Sequence, residues 1–432
     1  MNGMSQGTRV VISGLGVVSP IGIGSAAFWE SLRTGRSGVN YHSAFPEAEI
    51  PCRFAAEVRD FIPEEQVACK RLLKVMSREI QLGVSAASQA MADAGLSAGS
   101  VDPERLGVVY GAGRMTSTPQ ELVDAAEFCR GNDGRFHHDR FNADAMSQIA
   151  PLWFLRQLPN MPACHVSIEF NAQGPNNTIT ARDSSTLLAL AEAVSCIERD
   201  AADAMIVGGC SSHIQPVDVA KFHLFEGLTH RDGDPAKACR PFDLSRDGTI
   251  LAEGAGAFVI ERLEHAQRRG ARIYSEILAV TSGCDGRADG DASAGRGLVA
   301  AIQSALRRAG IDPRDLGHIN AHGKSTQADD AIEARAFHRA FGTAAESIPV
   351  TALKSYFGQA DCGSAAIELA GSLLAMRHGE LPMTLNYQTP DPNCRLRVIH
   401  DELHRLSTPF ALKVSRTSMG QSAAVLLRAA SC

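Results

Sequence analysis

Gly174-Pro175-Asn176-Asn177-Thr178-Ile179-Thr180-Ala181-Arg182-Asp183-Ser184-Ser185-Thr186 is the stretch on which the reading of this chain turns. Beyond it Leu187, Leu188, Leu190, Ala193 and Val194 recur at helical spacing, which predicts a helix over Asp183–Ile197. Aspartate followed by two serines and an apolar run is a helix N-cap pattern, favourable by about 0.5–2 kcal/mol over alanine. Outward from this helix, Leu106–Tyr110, Met205-Ile206-Val207-Gly208-Gly209 and Ala255–Ile260 read as strands. Further out, Arg9–Val18 reads as a buried strand running into a glycine-rich turn. Ser25–Arg33 and Ser77–Ala94 carry helical spacing. Strands alternating with amphipathic helices predict an α/β fold.

The same order begins again near Arg272: strand Ile273–Val280, helix Gly297–Ala309, strand His318–Ala321, helix Asp330–Phe341 and helix Ser364–Met376. Phe410–Val414 and Ala423–Leu427 follow as strands. Two duplicated halves, 8–265 and 270–430, are therefore expected to pack face to face. Parallel strands buried on both faces account for the continuous apolar runs. Two segments fit neither half. Glu121–Ser147 is polar and reads as a solvated loop, because its pair His137-His138 lacks the spacing and acidic partners of a metal site. Cys284–Gly295 is rich in Gly, Asp and Ala and reads as a mobile loop.

With 432 residues, 44% hydrophobic and 21% charged, the composition is that of a soluble globular protein. A net charge of −6 argues against a general nucleic-acid surface. No apolar run is long enough to suggest a membrane span, and Met1–Val10 lacks the layout of an export signal. The 11 cysteines include no C-x-x-C pair and read as reduced thiols, which places the chain in the cytoplasm with no metal or cofactor expected.

The Gly174–Thr186 stretch resembles the nucleophile segment of the β-ketoacyl-acyl carrier protein synthases of the thiolase superfamily. Val10–Gly22 resembles that family's opening strand and turn. Arg240-Pro241-Phe242-Asp243, Arg246-Asp247-Gly248 and Glu253-Gly254-Ala255-Gly256 resemble its central signature. Asn320-Ala321-His322-Gly323, Ser325-Thr326 and Asp330-x-x-Glu333 resemble its first histidine loop, and Lys354-Ser355, Gly358 and Pro390-Asp391-Pro392 its second. The resemblance implies a thiolase-like fold, two βαβαβ halves in an α-β-α-β-α layering. It also implies an acyl carrier protein as partner and assembly as a dimer, with Ala163–Phe170 resembling the interface strand.

In that family a cysteine thiolate at a helix N-terminus takes the acyl chain. Two histidines stabilise the enolate formed when a malonyl thioester loses CO₂. Carried onto this sequence, the nucleophile position is Asp183, the first histidine is His322, the second is Gln359, the lysine is Lys354 and the glutamate is Glu368. A Gly-Phe-Gly-Gly loop aligns with Thr417-Ser418-Met419-Gly420. A carboxylate is a poor nucleophile toward a thioester, and Gln359 keeps an amide donor but transfers no proton. Cys164 and Cys210 lie in expected strands and Cys196 stands over three helical turns from Asp183, so none replaces the missing thiol. Arg182 either fills the acyl pocket or salt-bridges across it. Lys354 reads as structural, paired with Glu368 or Asp183. Lys70, Arg71 and Lys74 form either a carrier-protein patch or an ordinary solvated face. His213, His223 and His230 read as surface or packing residues.

Three functions compete. One is a non-condensing subunit like the chain-length factors of type II polyketide systems, forming a heterodimer with an active ketosynthase or else a homodimer. Another is a malonyl-acyl carrier protein decarboxylase or other acyl-thioester enzyme using His322. The last uses Asp183 and His322 as a base pair within hydrogen-bond reach.

Overall fold

The computed structural model describes residues 8–43, 50, 52–113, 115, 120–143, 145–286 and 295–430. The main sheet has 14 strands among the described residues, and ten of them carry its architecture: β1 Val10–Ser19, β2 Leu106–Ala112, β3 Asn176–Ile179, β4 Ala204–Ser212, β5 Leu251–Arg262, β6 Ser275–Cys284, β7 Leu316–Asn320, β8 Pro349–Thr351, β9 Phe410–Arg416 and β10 Gln421–Ala429. Their spatial order is β3-β2-β4-β5-β1-β6-β10-β9-β7-β8. Counted from each end inward, the two halves repeat one order, third-second-fourth-fifth-first. The directions repeat too. The second strand lies parallel to the third and fourth, and the fifth runs antiparallel to its neighbours. Val10, Val11 and Ile12 pair with Ile277, Glu276 and Ser275, which joins the halves. The duplication thus shows as topology, where the two halves share no evident residue pattern.

The nine longer helices among the described residues cover and separate these strands: α1 Ser25–Thr34, α2 Arg78–Asp93, α3 Gln120–Phe128, α4 Met161–Phe170, α5 Ser185–Glu198, α6 Pro216–Phe225, α7 Arg296–Ala309, α8 Gln327–Phe341 and α9 Asp361–His378. α5 and α9 form the middle layer. Their apolar residues share one core with Val10, Ile12, Met205, Val207 and Val425 from both halves. α2 seals the outer face of the first half and α7 with α8 that of the second, giving the expected α-β-α-β-α layering. The middle layer is tight because small residues let backbones approach. A Cβ on Gly209 would lie 2.7 Å from the Cys362 carbonyl oxygen, and one on Gly111 2.5 Å from the Thr186 nitrogen. These glycines of β4 and β2 let the start of α5 press onto the sheet.

Three local expectations are corrected. Ala163–Phe170 lies in helix α4, which also removes Cys164 from a strand. Pro162 in its first turn and Asn171 at φ 52 beyond its end are helix boundary signals, and the run is short enough to mimic a strand. Glu121–Ser147 is not one loop, since it contains α3 and a short helix Asp139–Ala143. These are mostly solvent-facing, so their sequence carries little apolar periodicity. Finally, Asp183 is not the N-cap: Arg182–Ser184 form a 3₁₀ turn and Ser184 precedes α5. Of the expected loop Cys284–Gly295, residues 287–294 lie outside those described. Among the described residues no helix is long and apolar enough to cross a membrane.

Candidate functional site

The Arg182–Ser184 turn presents Asp183 at the buried start of α5, where it is 2% exposed. Arg182 adopts φ 51, and facing it Asp361 opens α9 at φ 41. Non-glycine residues in this region cost on the order of 1–3 kcal/mol and cluster at working sites. The strain turns the Asp183 carboxylate inward, where it accepts from Gln359 Nε2 rather than capping the helix. Gln359 follows Gly358, whose φ is 71 and whose missing Cβ would meet the Ile250 carbonyl at 2.6 Å, so only glycine makes this bend. Gln359 Oε1 is buried with no hydrogen-bond partner among the described residues. Burial first, then the Asp361 charge, push the Asp183 carboxyl up to about 6 against Lys324, Lys354 and Arg182.

His322 leaves the end of β7 on a loop fastened from below. Glu333 of α8 accepts from the backbone nitrogens of His322 (2.6 Å) and Gly323 (2.8 Å). Asp330 accepts from Ser325 (3.0 Å) and Phe242 (2.8 Å), which braces this loop against the Arg240–Gly248 signature. Lys354 Nζ reaches His322 Nδ1 (3.2 Å) and the His322 carbonyl (2.8 Å). An ammonium only donates, so Nδ1 accepts and the ring proton is assigned to Nε2. Burial, then the charges of Lys354, Lys413, Lys324 and Arg416, hold the imidazole well below the usual histidine range. His322, 4% exposed, is thus a neutral ring with an Nε2–H donor. Of the two partners considered for Lys354, Glu368 is the one it takes (2.5 Å), and Glu368 also binds Lys413 (2.7 Å). No hydrogen bond joins Asp183 to His322 among the described residues, so the proposed base pair is not assembled.

Beside these groups runs an alternating chain of ion pairs that sequence reading did not find. Asp218 lies 3.5 Å from His213, which lies 3.1 Å from Asp361; Asp361 is 3.9 Å from Arg182, and Arg182 binds Glu226. Glu226 then pairs with Lys324 (2.5 Å), Lys324 with Asp329 (3.8 Å), Asp329 with Arg416 (2.9 Å) and Arg416 with Asp285 (3.4 Å). His213 is therefore no surface residue: it is buried, packs against the Phe222 ring and is ion-paired on both sides. Burial opposes its protonation, yet Asp218 and Asp361 lift it to about 10, so it is a buried imidazolium. Burial likewise opposes the Lys324 charge, and Asp329, Asp183 and Glu226 outweigh it and raise its pKa. Lys324 stands two residues after His322, and a lysine inside that loop is the signal that sequence reading passed over. Glu226 and His213 lie far away in sequence and carry no spacing signal.

Arg182, paired with Glu226, also lies 5.9 Å from the Phe222 ring. Thr417, Ser418, Met419 and Gly420 link β9 to β10. Thr417 is buried, Ser418 donates to Glu226 (3.4 Å) and Met419 is 62% exposed. Lys70, Arg71 and Lys74 are exposed on a 3₁₀ helix Lys70–Val75. His137 pairs with Asp133 at 3.0 Å on the surface.

Comparisons with known proteins align with this geometry. The model of the beta-ketoacyl synthase N-terminal domain matches residues 7–266, and that of the C-terminal domain residues 274–388. The 3-oxoacyl-[acyl-carrier-protein] synthase 2 of Coxiella burnetii is 35% identical over 402 residues, 92% of this chain and 93% of that protein. The tetracenomycin polyketide synthase ketoacyl synthase alpha subunit of Streptomyces glaucescens is 35% identical over 422 residues, 97% of each. Among solved structures, the ishigamide ketosynthase/chain length factor superposes with a TM-score of 0.86 at 27% identity, covering 98% of this chain and 100% of that one. AntDE:AntF, a type II PKS acyl-carrier protein in complex with its ketosynthase bound to the hexaketide, gives 0.82 at 29%, covering 99% and 100%.

Proposed function

The chain belongs to the β-ketoacyl synthase family, and from that premise we propose that it is a non-condensing, chain-length-factor-like subunit pairing with an active ketosynthase and an acyl carrier protein. The observation that carries this reading is the contact between Asp183 and Gln359. The position that would hold an acyl thiolate holds a buried carboxylate. The position that would hold a second histidine holds the amide that occupies it. Neither group forms a thioester, and Gln359 moves no proton.

Pairing has a physical basis in the sheet. β3 ends the strand order, so its outer edge has no neighbouring strand among the described residues. α4, packed beside it, exposes Ile168 to 61%. An unpaired edge with an apolar neighbour suits addition of another chain. Lys70, Arg71 and Lys74 offer positive charge to an acidic carrier protein.

The test is co-expression with a ketosynthase that retains its cysteine, followed by incubation with labelled acyl carrier protein. A mixed dimer labelled only on the partner is expected. Acylation and primer elongation by this chain alone would overturn the proposal. The Nε2–H of His322 favours a second reading, in which the chain binds a malonyl thioester carbonyl and releases CO₂. Carbon dioxide release that His322→Ala abolishes would select it.

A further inference from the structure

Glu226 lines a surface cleft of about 500 Å³, and behind it the buried Lys324 pairs with Glu226 while its charge acts on Asp183. Phe225, Gly227 and Ile332 form part of the cleft's lining, and Glu226, Asp329, Arg416 and Ser418 its polar side; Asp183 and His322 do not line it. The polar groups come from separate elements: Glu226 just past α6, Asp329 in α8, Arg416 at the end of β9 and Ser418 in the loop beyond. That loop is fastened twice, by Ser418 donating to Glu226 (3.4 Å) and by the Asp285 nitrogen donating to the Gly420 carbonyl (3.1 Å). The adjacency of Glu226 to Lys324, and of Lys324 to the Asp183 charge, sets this pair on the route from the cleft to Asp183 that the inference takes. A substrate arm on that route parts the two. Both side chains are almost wholly buried, so parting them leaves opposite charges stranded in a poor solvent. Arg182 holds Glu226 from the other side, which leaves Glu226 no direction in which to swing while keeping both partners.

We infer that Glu226 and Lys324 are a built-in bar that closes the acyl-thioester path from this cleft to position 183, so that the chain holds no acyl group in its own interior. The inference rests on reading position 183 as the vacated nucleophile site. It goes beyond the loss of the nucleophile, because it says that restoring a thiol there does not restore access.

The test uses the full-length protein carrying Asp183→Cys, with and without Glu226→Gln and Lys324→Met. The thiol introduced at position 183 is alkylated with iodoacetamide and followed by peptide mass spectrometry, which separates it from the native cysteines. Removal of the bar is expected to raise the alkylation rate about 100-fold, since access otherwise waits on local opening. Equal rates, whether both fast or both slow, overturn the inference. Lys324→Met alone repeats the comparison if the fuller variant does not melt cooperatively. The unaltered protein supplies a check that needs no variant. Amides of 182–184 and 417–420 are expected to exchange hydrogen in one correlated opening, and independent openings count against the bar. All these rates belong to the isolated chain. Failure of the bar therefore leaves pairing with a ketosynthase untouched, and failure of that pairing leaves the bar.

Discussion

Glu368 is the group whose removal separates electrostatics from packing most cleanly. Its side chain is fully buried and shared by two ammonium groups that are themselves fully buried, Lys354 at 2.5 Å and Lys413 at 2.7 Å. Glu368→Gln keeps shape and volume but leaves two like charges facing each other without a counter-ion. Stranding a buried charge costs about 3–5 kcal/mol. Lys354→Met leaves the balanced pair Lys413–Glu368 and removes the lysine whose charge disfavours the Lys413 ammonium. Its cost is the lost hydrogen bonds to His322, about 1–3 kcal/mol. For 432 residues the unfolding entropy near 60 °C is about 0.9 kcal/mol/K, so Tm falls by roughly 3–6 °C for Glu368→Gln and 1–3 °C for Lys354→Met. Differential scanning calorimetry at one scan rate reads both. A second readout is the His322 imidazole by NMR. Lys354→Met removes one of the charges that depress its pKa, so the pKa must rise, whereas Glu368→Gln must lower it further. Equal Tm losses, or a His322 pKa that does not respond, would refute the account of this cluster.

Asp183→Asn relieves a carboxyl whose pKa is raised in the folded state by burial, so the sign is fixed. The folded protein binds the extra proton, and stability falls as pH rises from about 4 through 6, by about 3 kcal/mol in all. The variant should melt with the native protein near pH 4 and above it at pH 7.5; an unchanged difference across that range refutes the assignment. His213 is the opposite case. Burial disfavours its charge but Asp218 and Asp361 raise its pKa to about 10, so its contribution is complete below about 6.5 and fades as pH climbs through 10. Relative to His213→Asn, up to about 5 kcal/mol of stability should disappear over that interval, read as converging melts. In the proposed complex, replacing Lys70, Arg71 and Lys74 together by glutamate should weaken carrier-protein binding about tenfold or more and flatten its salt dependence. Titration calorimetry at two ionic strengths measures both, and no change sets the patch down as a solvated face.

The strands were legible because burial on both faces imposes uninterrupted apolar runs, as in Met205–Gly209 and Ala423–Leu427. α4 was not, because Met161–Phe170 is short and apolar enough to suit either period, and only Pro162 and Asn171 tell the two apart. Asp183 misled for a different reason. Its sequence context is that of a helix cap, and a tertiary contact with Gln359 outbid the local one. Residues carried over by motif, such as His322, Lys354 and Glu368, were found together: the first two stand where motif-encoded loops leave the sheet, and Glu368 lies within α9, which follows the second of those loops. Asp218, His213 and Glu226 were missed because charge pairing between distant elements leaves no period or spacing in the chain.

The same distinction explains why some family motifs stand intact here beside an altered centre. Asp330 and Glu333 spend their carboxylates on four backbone nitrogens, those of Phe242, Ser325, His322 and Gly323. Removing either leaves buried N–H groups unpaired whatever reaction the protein performs, at about 1–3 kcal/mol each. Glu368 is bound in the same way, by two lysines rather than by backbone. Positions 183 and 359 have no such obligation, for their side chains face one another across the space where chemistry would occur. Their side-chain hydrogen bond is to each other: a carboxylate there needs a donor, and the Gln359 amide is one that stays neutral. A lone Gln359→His change would set an imidazole against the Asp183 carboxylate and add a further charge to a site already crowded with them. A lone Asp183→Cys change would leave the Gln359 amide without its acceptor. The two substitutions are therefore one structural unit, and reverting either by itself restores neither the chemistry nor the fit.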